Sequence, residues 1–168
     1  MKNLTNFTKD LENKKLHVTR TFNAPLELVW STWTEPELLE QWWAPKPYIA
    51  VIQFMDFKEG GHCLYYMLSP EGDKHWCRAD YLKISKHRYF TVQDAFCNEE
   101  GVTNTEHPSM HWNNQFESKE NTTHVKIEIS FDKVEDIQKI IDMGFKEGFT
   151  AALENLDDYL KQQLKELI

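Results

Sequence analysis

The sequence predicts an α+β fold in which a curved antiparallel sheet of about six to seven strands packs around a long C-terminal helix. Three observations predict it. Apolar and polar residues alternate along most of residues 16–131, with short turn sequences between the alternating segments. Two short segments after the first strand have helical spacing instead. The last part of the chain, Val134–Leu167, lacks proline and carries apolar residues at helical spacing.

The first strand is predicted over Leu16–Phe22, where the alternation is regular. Pro25 follows it and suits the first turn of a helix, because the N–H that proline lacks needs no partner there. Short helices are therefore predicted over Leu26–Trp33 and Glu37–Trp42. Residues 1–13 are polar and are predicted to form a loose N-terminal arm.

The remaining strands are bounded by glycine, proline and polar turn residues. They are predicted over Tyr48–Phe57, His62–Ser69, Lys74–Ile84, Tyr89–Cys97, Met110–Glu117 and Thr123–Phe131. Because consecutive strands joined by short turns pair antiparallel, these segments are expected to form one sheet.

A single helix is predicted over Val134–Leu167, with Asp132 as its N-cap. At 1.5 Å per residue it would be about 50 Å long. Only the sheet offers an apolar surface large enough to cover it. Gly144 and Gly148 share one face and cost roughly 1 kcal/mol each relative to alanine. We therefore expect that face to meet a close neighbour or to leave open space.

Composition and charge argue against several classes of protein. The chain has 27 acidic and 19 basic residues, a net charge of -8, so neither nucleic acid nor an anionic membrane is an expected partner. No apolar run approaches the roughly 18 residues of a membrane span. Cys63, Cys77 and Cys97 lack CxxC spacing. We expect free thiols and a cytoplasmic location.

Several short motifs occur in order along the chain. They are Phe22-Asn23-Ala24-Pro25 with Val29-Trp30, Trp42-Trp43-Ala44-Pro45, Gly60-Gly61 with Met67, Pro70-Glu71-Gly72, and Gly144-Phe145 before Leu153 and Leu156. With these motifs the chain resembles the helix-grip superfamily, also called SRPBCC, START-related or Bet v 1-like. Within it, the chain is similar to the activator of heat-shock protein 90 ATPase homologue 1-like family.

The resemblance covers roughly residues 15–160 and implies a single helix-grip domain over residues 1–168. It also implies a cavity between the sheet and the C-terminal helix. The superfamily includes lipid and hormone binders, cyclases and co-chaperone domains. The resemblance therefore predicts the fold more narrowly than it predicts the function.

Candidate residues for the cavity wall are apolar residues of the strands and one face of the C-terminal helix. They are Tyr65, Met67, Trp76, Phe90, Trp112, Phe145, Gly148 and Phe149. The alternative is that the aromatic residues only fill the core.

The polar candidates are Asp80, Asp94 and Asn114, which by alternation share a face with apolar residues of their strands. An isolated buried charge is costly, so an inward carboxylate needs a ligand or a partner. Arg78 is the alternative partner for Asp80. A β-bulge would reverse these assignments.

The sequence carries no recognisable catalytic or cofactor motif. The seven histidines lack HExxH or similar ligand spacing, the serines lack a nucleophile-elbow setting, and no glycine-rich phosphate loop is present. We therefore expect no catalytic residue, no metal and no cofactor.

Three functions stay open in this order. The first is a binding protein for a small hydrophobic or aromatic ligand. The second is a chaperone-modulating or stress-related interaction module, which the resemblance alone suggests. The third is a cavity enzyme that uses Asp80 or Asp94 as an acid or base. Apolar residues on both faces of His62–Leu68 also favour a homodimer.

Overall fold

The computed structural model describes residues 4–166, which form one eight-stranded sheet and four helices. The strands are β1 Asn6–Asp10, β2 Lys15–Phe22, β3 Ile49–Met55, β4 His62–Leu68, β5 Lys74–Ser85, β6 Tyr89–Phe96, β7 Met110–Lys119 and β8 Thr122–Ser130. The helices are α1 Leu26–Thr34, α2 Pro36–Leu39, α3 Val134–Asp142 and α4 Phe145–Glu166. The order in the sheet is β1-β2-β8-β7-β6-β5-β4-β3, and every neighbouring pair is antiparallel.

The predicted α+β fold is confirmed, with eight strands rather than six to seven. The additional strand is β1, so the prediction of a loose arm is wrong for Asn6–Asp10. This segment pairs with β2 in a regular antiparallel register. Asn13 closes the turn between the two strands, because its backbone N–H donates to Asp10 Oδ1 at 3.2 Å. Residues 1–3 of the predicted arm lie outside the described part of the chain.

The C-terminal helical segment is broken, so the prediction of one continuous helix from Val134 is wrong. The helix α3 ends at Asp142, and α4 begins at Phe145. Between them Gly144 has φ +90°, a conformation that glycine adopts without the steric penalty of a Cβ. The N-cap of α3 is Lys133 rather than Asp132, and no side chain caps it. At 22 residues α4 is about 33 Å long; Leu167, the last residue of the predicted helix, is not described.

The core lies between the inner face of the sheet and the helices. Leu153, Leu156 and Leu160 of α4 are at most 2% exposed, so the middle of this helix packs closely. Arg20 of β2 and Asp157 of α4 form a buried ion pair at 3.7 Å. No helix within residues 4–166 is both long and apolar enough to cross a membrane.

An aromatic cluster holds α1 against the sheet. The ring of Trp30 lies 5.1 Å from Phe116 and 5.8 Å from Phe90, and Trp33 lies 5.6 Å from Phe116. Trp42, which follows α2, donates from Nε1 to the Thr32 carbonyl at 2.9 Å. These contacts fix the loop after α2, and that loop forms one wall of the cavity described next.

Candidate functional site

A cavity of about 270 Å³ lies between the sheet, the end of α3 and the first turns of α4. Its wall is mostly apolar and aromatic. The lining residues are Trp43, Pro45, Tyr65, Met67, His75, Cys77, Asp94, Phe96, Met110, Trp112, Ile140, Met143, Gly144, Phe145, Gly148 and Phe149. A cavity of this kind, mostly apolar with a few polar groups, is typical of small-molecule sites.

A second, smaller cavity of about 50 Å³ adjoins the first. Four residues line both, namely Trp43, Tyr65, Asp94 and Trp112. The smaller cavity extends beneath α1 and α2, where Trp33 of α1 is part of its wall. Asp94 and three aromatic rings therefore stand at the junction of the two spaces.

The helix break and Gly148 keep the cavity open. A Cβ on Gly148 would first meet Pro45 Cγ, at 3.7 Å, which is an ordinary contact distance. A methyl group therefore fits there, and a longer side chain would occupy the cavity. One turn earlier, the ring of Phe145 stacks on that of Phe149 at 5.4 Å. Both rings meet Trp112, at 5.8 and 5.3 Å.

Asp94 is half-buried in the cavity wall, and its Oδ1 is shielded from solvent. Burial raises its pKa from 3.8 to about 7, and a hydrogen bond from the Ala95 backbone N–H opposes the increase. Its Oδ1 has no hydrogen-bond partner. Within residues 4–166 no cation lies within ion-pair distance of Asp94. Burial also raises the pKa of Tyr65, and the Asp94 charge raises it further.

Other polar atoms of the cavity walls are also unpaired. Within residues 4–166 they are Asn114 Oδ1, Trp33 Nε1, Trp43 Nε1 and Trp112 Nε1. Buried polar groups usually have a partner, so a set of unpaired ones in a cavity wall indicates where polar groups of a ligand or ordered water would bind.

The cysteines are free thiols, as predicted. Burial raises the pKa of the Cys63 thiol to about 12, and it also raises the pKa of Cys77. The thiolate is the nucleophilic form, so neither residue suits nucleophilic chemistry near neutral pH. In the described part of the chain no three His, Cys, Asp or Glu side chains are grouped so that they could hold a metal ion.

Most of the predicted cavity residues line these two spaces. They are Tyr65, Met67, Phe90, Asp94, Trp112, Asn114, Phe145, Gly148 and Phe149. Trp76 and Asp80 lie on the opposite face of the sheet. Trp76 pairs across the strands with Tyr66, at 4.7 Å between rings, and Asp80 stands opposite His62. The assignment of Trp76 and Asp80 to the cavity is therefore wrong.

A β-bulge explains the error at Asp80. The register between β5 and β6 shifts between Tyr81 and Lys83, so Leu82 is an extra residue. Strict alternation counted back from Ile84, which ignores the bulge, puts Asp80 on the inner face of the sheet. In the structure Asp80 lies on the outer face. There Arg78 donates to both carboxylate oxygens, at 2.6 and 2.9 Å. The alternative that Arg78 is the partner of Asp80 is confirmed.

Several wall residues were missed by the sequence reasoning. They are Trp43, Pro45, His75, Cys77, Phe96, Met110, Ile140, Met143 and Gly144 in the large cavity, and Trp33, Leu39, Cys63, Ala79, Tyr81 and Val92 in the small one. The alternation could have identified Cys63, because it has the same parity as Tyr65 and Met67, which were placed inside. Cys77 was missed because Trp76, its neighbour of opposite parity on β5, was placed inside instead. No local pattern identifies Trp43, because only the path of the loop after α2 directs it into the cavity.

Comparisons with known proteins agree with this architecture. The family described as "Activator of Hsp90 ATPase homolog 1-like protein" matches residues 23–161. A solved structure of a protein from Arthrobacter aurescens is 30% identical in sequence and has a TM-score of 0.88. The match covers 94% of this chain and 91% of the other chain.

Two further solved structures are similar over nearly the whole chain. Protein Ms6760 from Mycobacterium smegmatis is 27% identical, with a TM-score of 0.86 and coverage of 94% of this chain and 96% of its own. A protein from Staphylococcus epidermidis is 29% identical, with a TM-score of 0.82 and 94% coverage of both chains. No curated protein matches the chain.

Proposed function

We propose that this chain, which belongs to the family of activator of Hsp90 ATPase homolog 1-like proteins, is a binding protein for a small hydrophobic or aromatic ligand. The ligand is held between the sheet and α4. The single observation that carries the proposal is the cavity of about 270 Å³ with its aromatic wall. An empty apolar space of this size lowers stability, because its lining atoms lose packing contacts, and a ligand restores them.

Contacts between its own aromatic rings hold the wall in place. Trp43 contacts five other aromatic rings. Three of them line the large cavity, with centroids 6.5 Å (Tyr65), 6.0 Å (Trp112) and 6.0 Å (Phe149) from that of Trp43. Rings held in this way lose little conformational freedom when a ligand binds, so more of the interaction energy remains as affinity. This arrangement supports binding of a flat or compact apolar molecule.

A pair of substitutions at Gly148 tests the proposal. Gly148→Ala adds one methyl group at an ordinary contact distance and leaves the cavity open, whereas Gly148→Leu fills part of it. The neutral fluorescent probe N-phenyl-1-naphthylamine is titrated into each protein. We expect saturable one-site binding to the wild type and to Gly148→Ala, and at least tenfold weaker binding to Gly148→Leu. Equal binding to Gly148→Leu, or no binding to the wild type, would contradict the proposal.

A cavity enzyme is a second candidate, and one observation favours it. The pKa of Asp94 is raised to about 7, near the value that suits a general acid or base at neutral pH. The ligand carried by the protein from its own host is incubated with the wild type and with Asp94→Asn. A product formed only by the wild type supports catalysis. Release of unchanged ligand from both proteins counts against it.

A single observation supports each of the three other expectations, namely a chaperone-modulating role, a cytoplasmic location and a homodimer. The chaperone-modulating role is supported only by the family description. A cytoplasmic location is supported by the three free thiols. A homodimer is supported by exposed apolar side chains on the edge strand β3, where Ile49 is 56% and Phe54 48% exposed. Light scattering after size exclusion tests the homodimer, and a monomer mass at high concentration would contradict it.

A further inference from the structure

We infer that the ligand of this cavity is an organic cation: a protonated amine with an apolar or aromatic body, whose ammonium group pairs with the Asp94 carboxylate. The inference rests on the proposed function and specifies its ligand class. Two independent features of the site lead to it, namely an unpaired carboxyl and the aromatic rings around it.

The carboxyl lacks a counter-charge. Asp94 is half-buried, and its Oδ1, which is shielded from solvent, has no hydrogen-bond partner within residues 4–166. Arg78 does not supply the charge, because it binds Asp80 and the Gly101 carbonyl on the other face of the sheet. A buried charge without a partner is costly, whereas a ligand that brings the opposite charge compensates for it.

The rings around the carboxyl suit the same kind of ligand. Trp43, Tyr65 and Trp112 line both cavities together with Asp94, and Phe149 closes the side that faces α4. The ring of Trp43 is tilted by 51–82° from those of Tyr65, Trp112 and Phe149, so the four rings do not stack in one direction, and all four line the large cavity. The faces of aromatic rings attract cations, and tryptophan does so most strongly.

The same features disfavour the alternatives. An anionic ligand would meet both the carboxylate and the negative faces of the rings, and no lysine or arginine lines either cavity. A purely apolar ligand would leave the carboxyl unpaired. The net charge of -8 also favours the approach of a cation over that of an anion.

The pH dependence of binding follows from the groups that face Asp94. The titratable side chains among them are Cys63 and Tyr65 on β4, Cys77 and Tyr81 on β5, and Cys97 after β6. The others are Ala95 and apolar residues of the helices. Burial raises the pKa of each of these five groups above its already alkaline ordinary value, so all of them stay neutral between pH 5.5 and 8.5. Asp94, with a pKa of about 7, changes charge in this range. His75 lines the same cavity, so the experiment includes a control at this residue.

The experiment compares 2-phenylethylamine with 2-phenylethanol, which has a similar shape and no charge. Binding is measured by isothermal titration calorimetry at pH 5.5 and 8.5. Alkyl ammonium groups of this type stay protonated throughout, with pKa values of about 10. With a pKa of about 7 the ionised fraction of Asp94 rises from about 3% to about 97%, so amine affinity should increase by up to about 30-fold. The affinity for the alcohol should change less than twofold.

Three variants locate the effect. Asp94→Asn keeps the shape of the side chain and removes its charge, so the amine should lose both its pH dependence and its advantage over the alcohol. Asp80→Asn removes an aspartate from the outer face of the same sheet, and His75→Gln removes the histidine of the wall. Asp80→Asn should behave as the wild type, and in His75→Gln the amine should keep its pH dependence whatever the change in its affinity. If Asp94→Asn does not fold, the pH profiles of the wild type and of His75→Gln decide the question.

Each outcome has one meaning. A preference for the amine of about tenfold or more at pH 8.5, lost in Asp94→Asn, supports the inference. Equal affinities for amine and alcohol overturn it and leave the proposed function standing. If neither the amine nor the alcohol binds while N-phenyl-1-naphthylamine does, the inference is likewise overturned and the proposed function still stands. Failure of all three probes to bind would overturn the proposed function as well.

Discussion

Replacing Asp94 by asparagine should stabilise the protein at neutral and alkaline pH but not in acid. The pKa of Asp94 is about 7 in the folded protein and 3.8 as the ordinary value for an unfolded chain. A group whose pKa is raised on folding contributes stability below its unfolded pKa, and this contribution is lost as the pH rises through the folded value. A difference of about three pKa units corresponds to about 4 kcal/mol of unfolding free energy, lost by the wild type between about pH 4 and pH 7.

Asparagine has almost the same shape and does not titrate, so Asp94→Asn avoids this loss. We therefore expect the free energy of unfolding of Asp94→Asn, relative to that of the wild type, to rise by about 4 kcal/mol between pH 4 and pH 8. Most of the rise should occur between about pH 4.5 and 6.5, with a slope near 1.4 kcal/mol per pH unit.

Urea unfolding of ligand-free protein, followed by tryptophan fluorescence at five pH values from 4 to 8, measures the difference. Asp80→Asn is the matched control. The Asp80 side chain is 41% exposed and belongs to a surface ion pair, so its removal should change stability by less than about 1 kcal/mol. A flat difference between Asp94→Asn and the wild type, or one that falls with pH, would show that Asp94 is not an unpaired buried carboxyl.

The remaining predictions concern stability and reactivity. Gly144→Ala should lower the free energy of unfolding in urea by about 1–2 kcal/mol, because alanine is strained at φ +90° even though no atom of residues 4–166 would lie within 4 Å of its Cβ. Gly148→Ala, inside α4, should instead raise it by up to about 1 kcal/mol. A stabilising Gly144→Ala together with a destabilising Gly148→Ala would contradict the position of the helix break. Asp157→Ala should cost about 3 kcal/mol or more in the same assay, because it leaves the guanidinium of Arg20, 3% exposed, without its carboxylate; a loss below 1 kcal/mol would mean that the pair is weak. A thiol reagent should label Cys97 first, because it is the one cysteine that is not buried, whereas three equal labelling rates would refute the placement of the other two.

Regular alternation made most of the sheet predictable. In β8 the residues Val125, Ile127 and Ile129 are at most 2% exposed, as alternation requires of residues that share one face. Strand β1 lacks this signal because it lies at the edge of the sheet, where most of its side chains are exposed. Its pairing depends on β2 rather than on a pattern of its own.

The continuous helix and the inward Asp80 were both predicted wrongly, and in each case a single residue changes the backbone geometry. Gly144 leaves the helix, yet Ile141, Phe145 and Phe149 keep their spacing of four, so the apolar repeat continues across the break. In β5 the extra residue Leu82 puts Asp80 on the outer face of the sheet, whereas strict alternation puts it on the inner face. Glycine after a helix is a known end signal, so the first error was avoidable. The bulge depends on pairing with β6, and the sequence of β5 alone does not mark it.

The candidate site could be predicted only in part. The strand residues Tyr65, Met67 and Asp94 follow from alternation, and Gly148 follows from the cost of glycine within a helix. The contribution of Trp43 depends on how the loop after α2 returns over the sheet. The isolation of the Asp94 carboxyl depends on Arg78 facing the other side, and that is visible only in three dimensions.

The most direct test of ligand carriage is native mass spectrometry of the protein purified from its own host, alongside Gly148→Ala and Gly148→Leu expressed in the same way. We expect a stoichiometric extra mass on the wild type and on Gly148→Ala that is lost on denaturation. We expect no such extra mass on Gly148→Leu. An extra mass retained by Gly148→Leu, or an unmodified mass for all three proteins, would contradict a ligand held in this cavity.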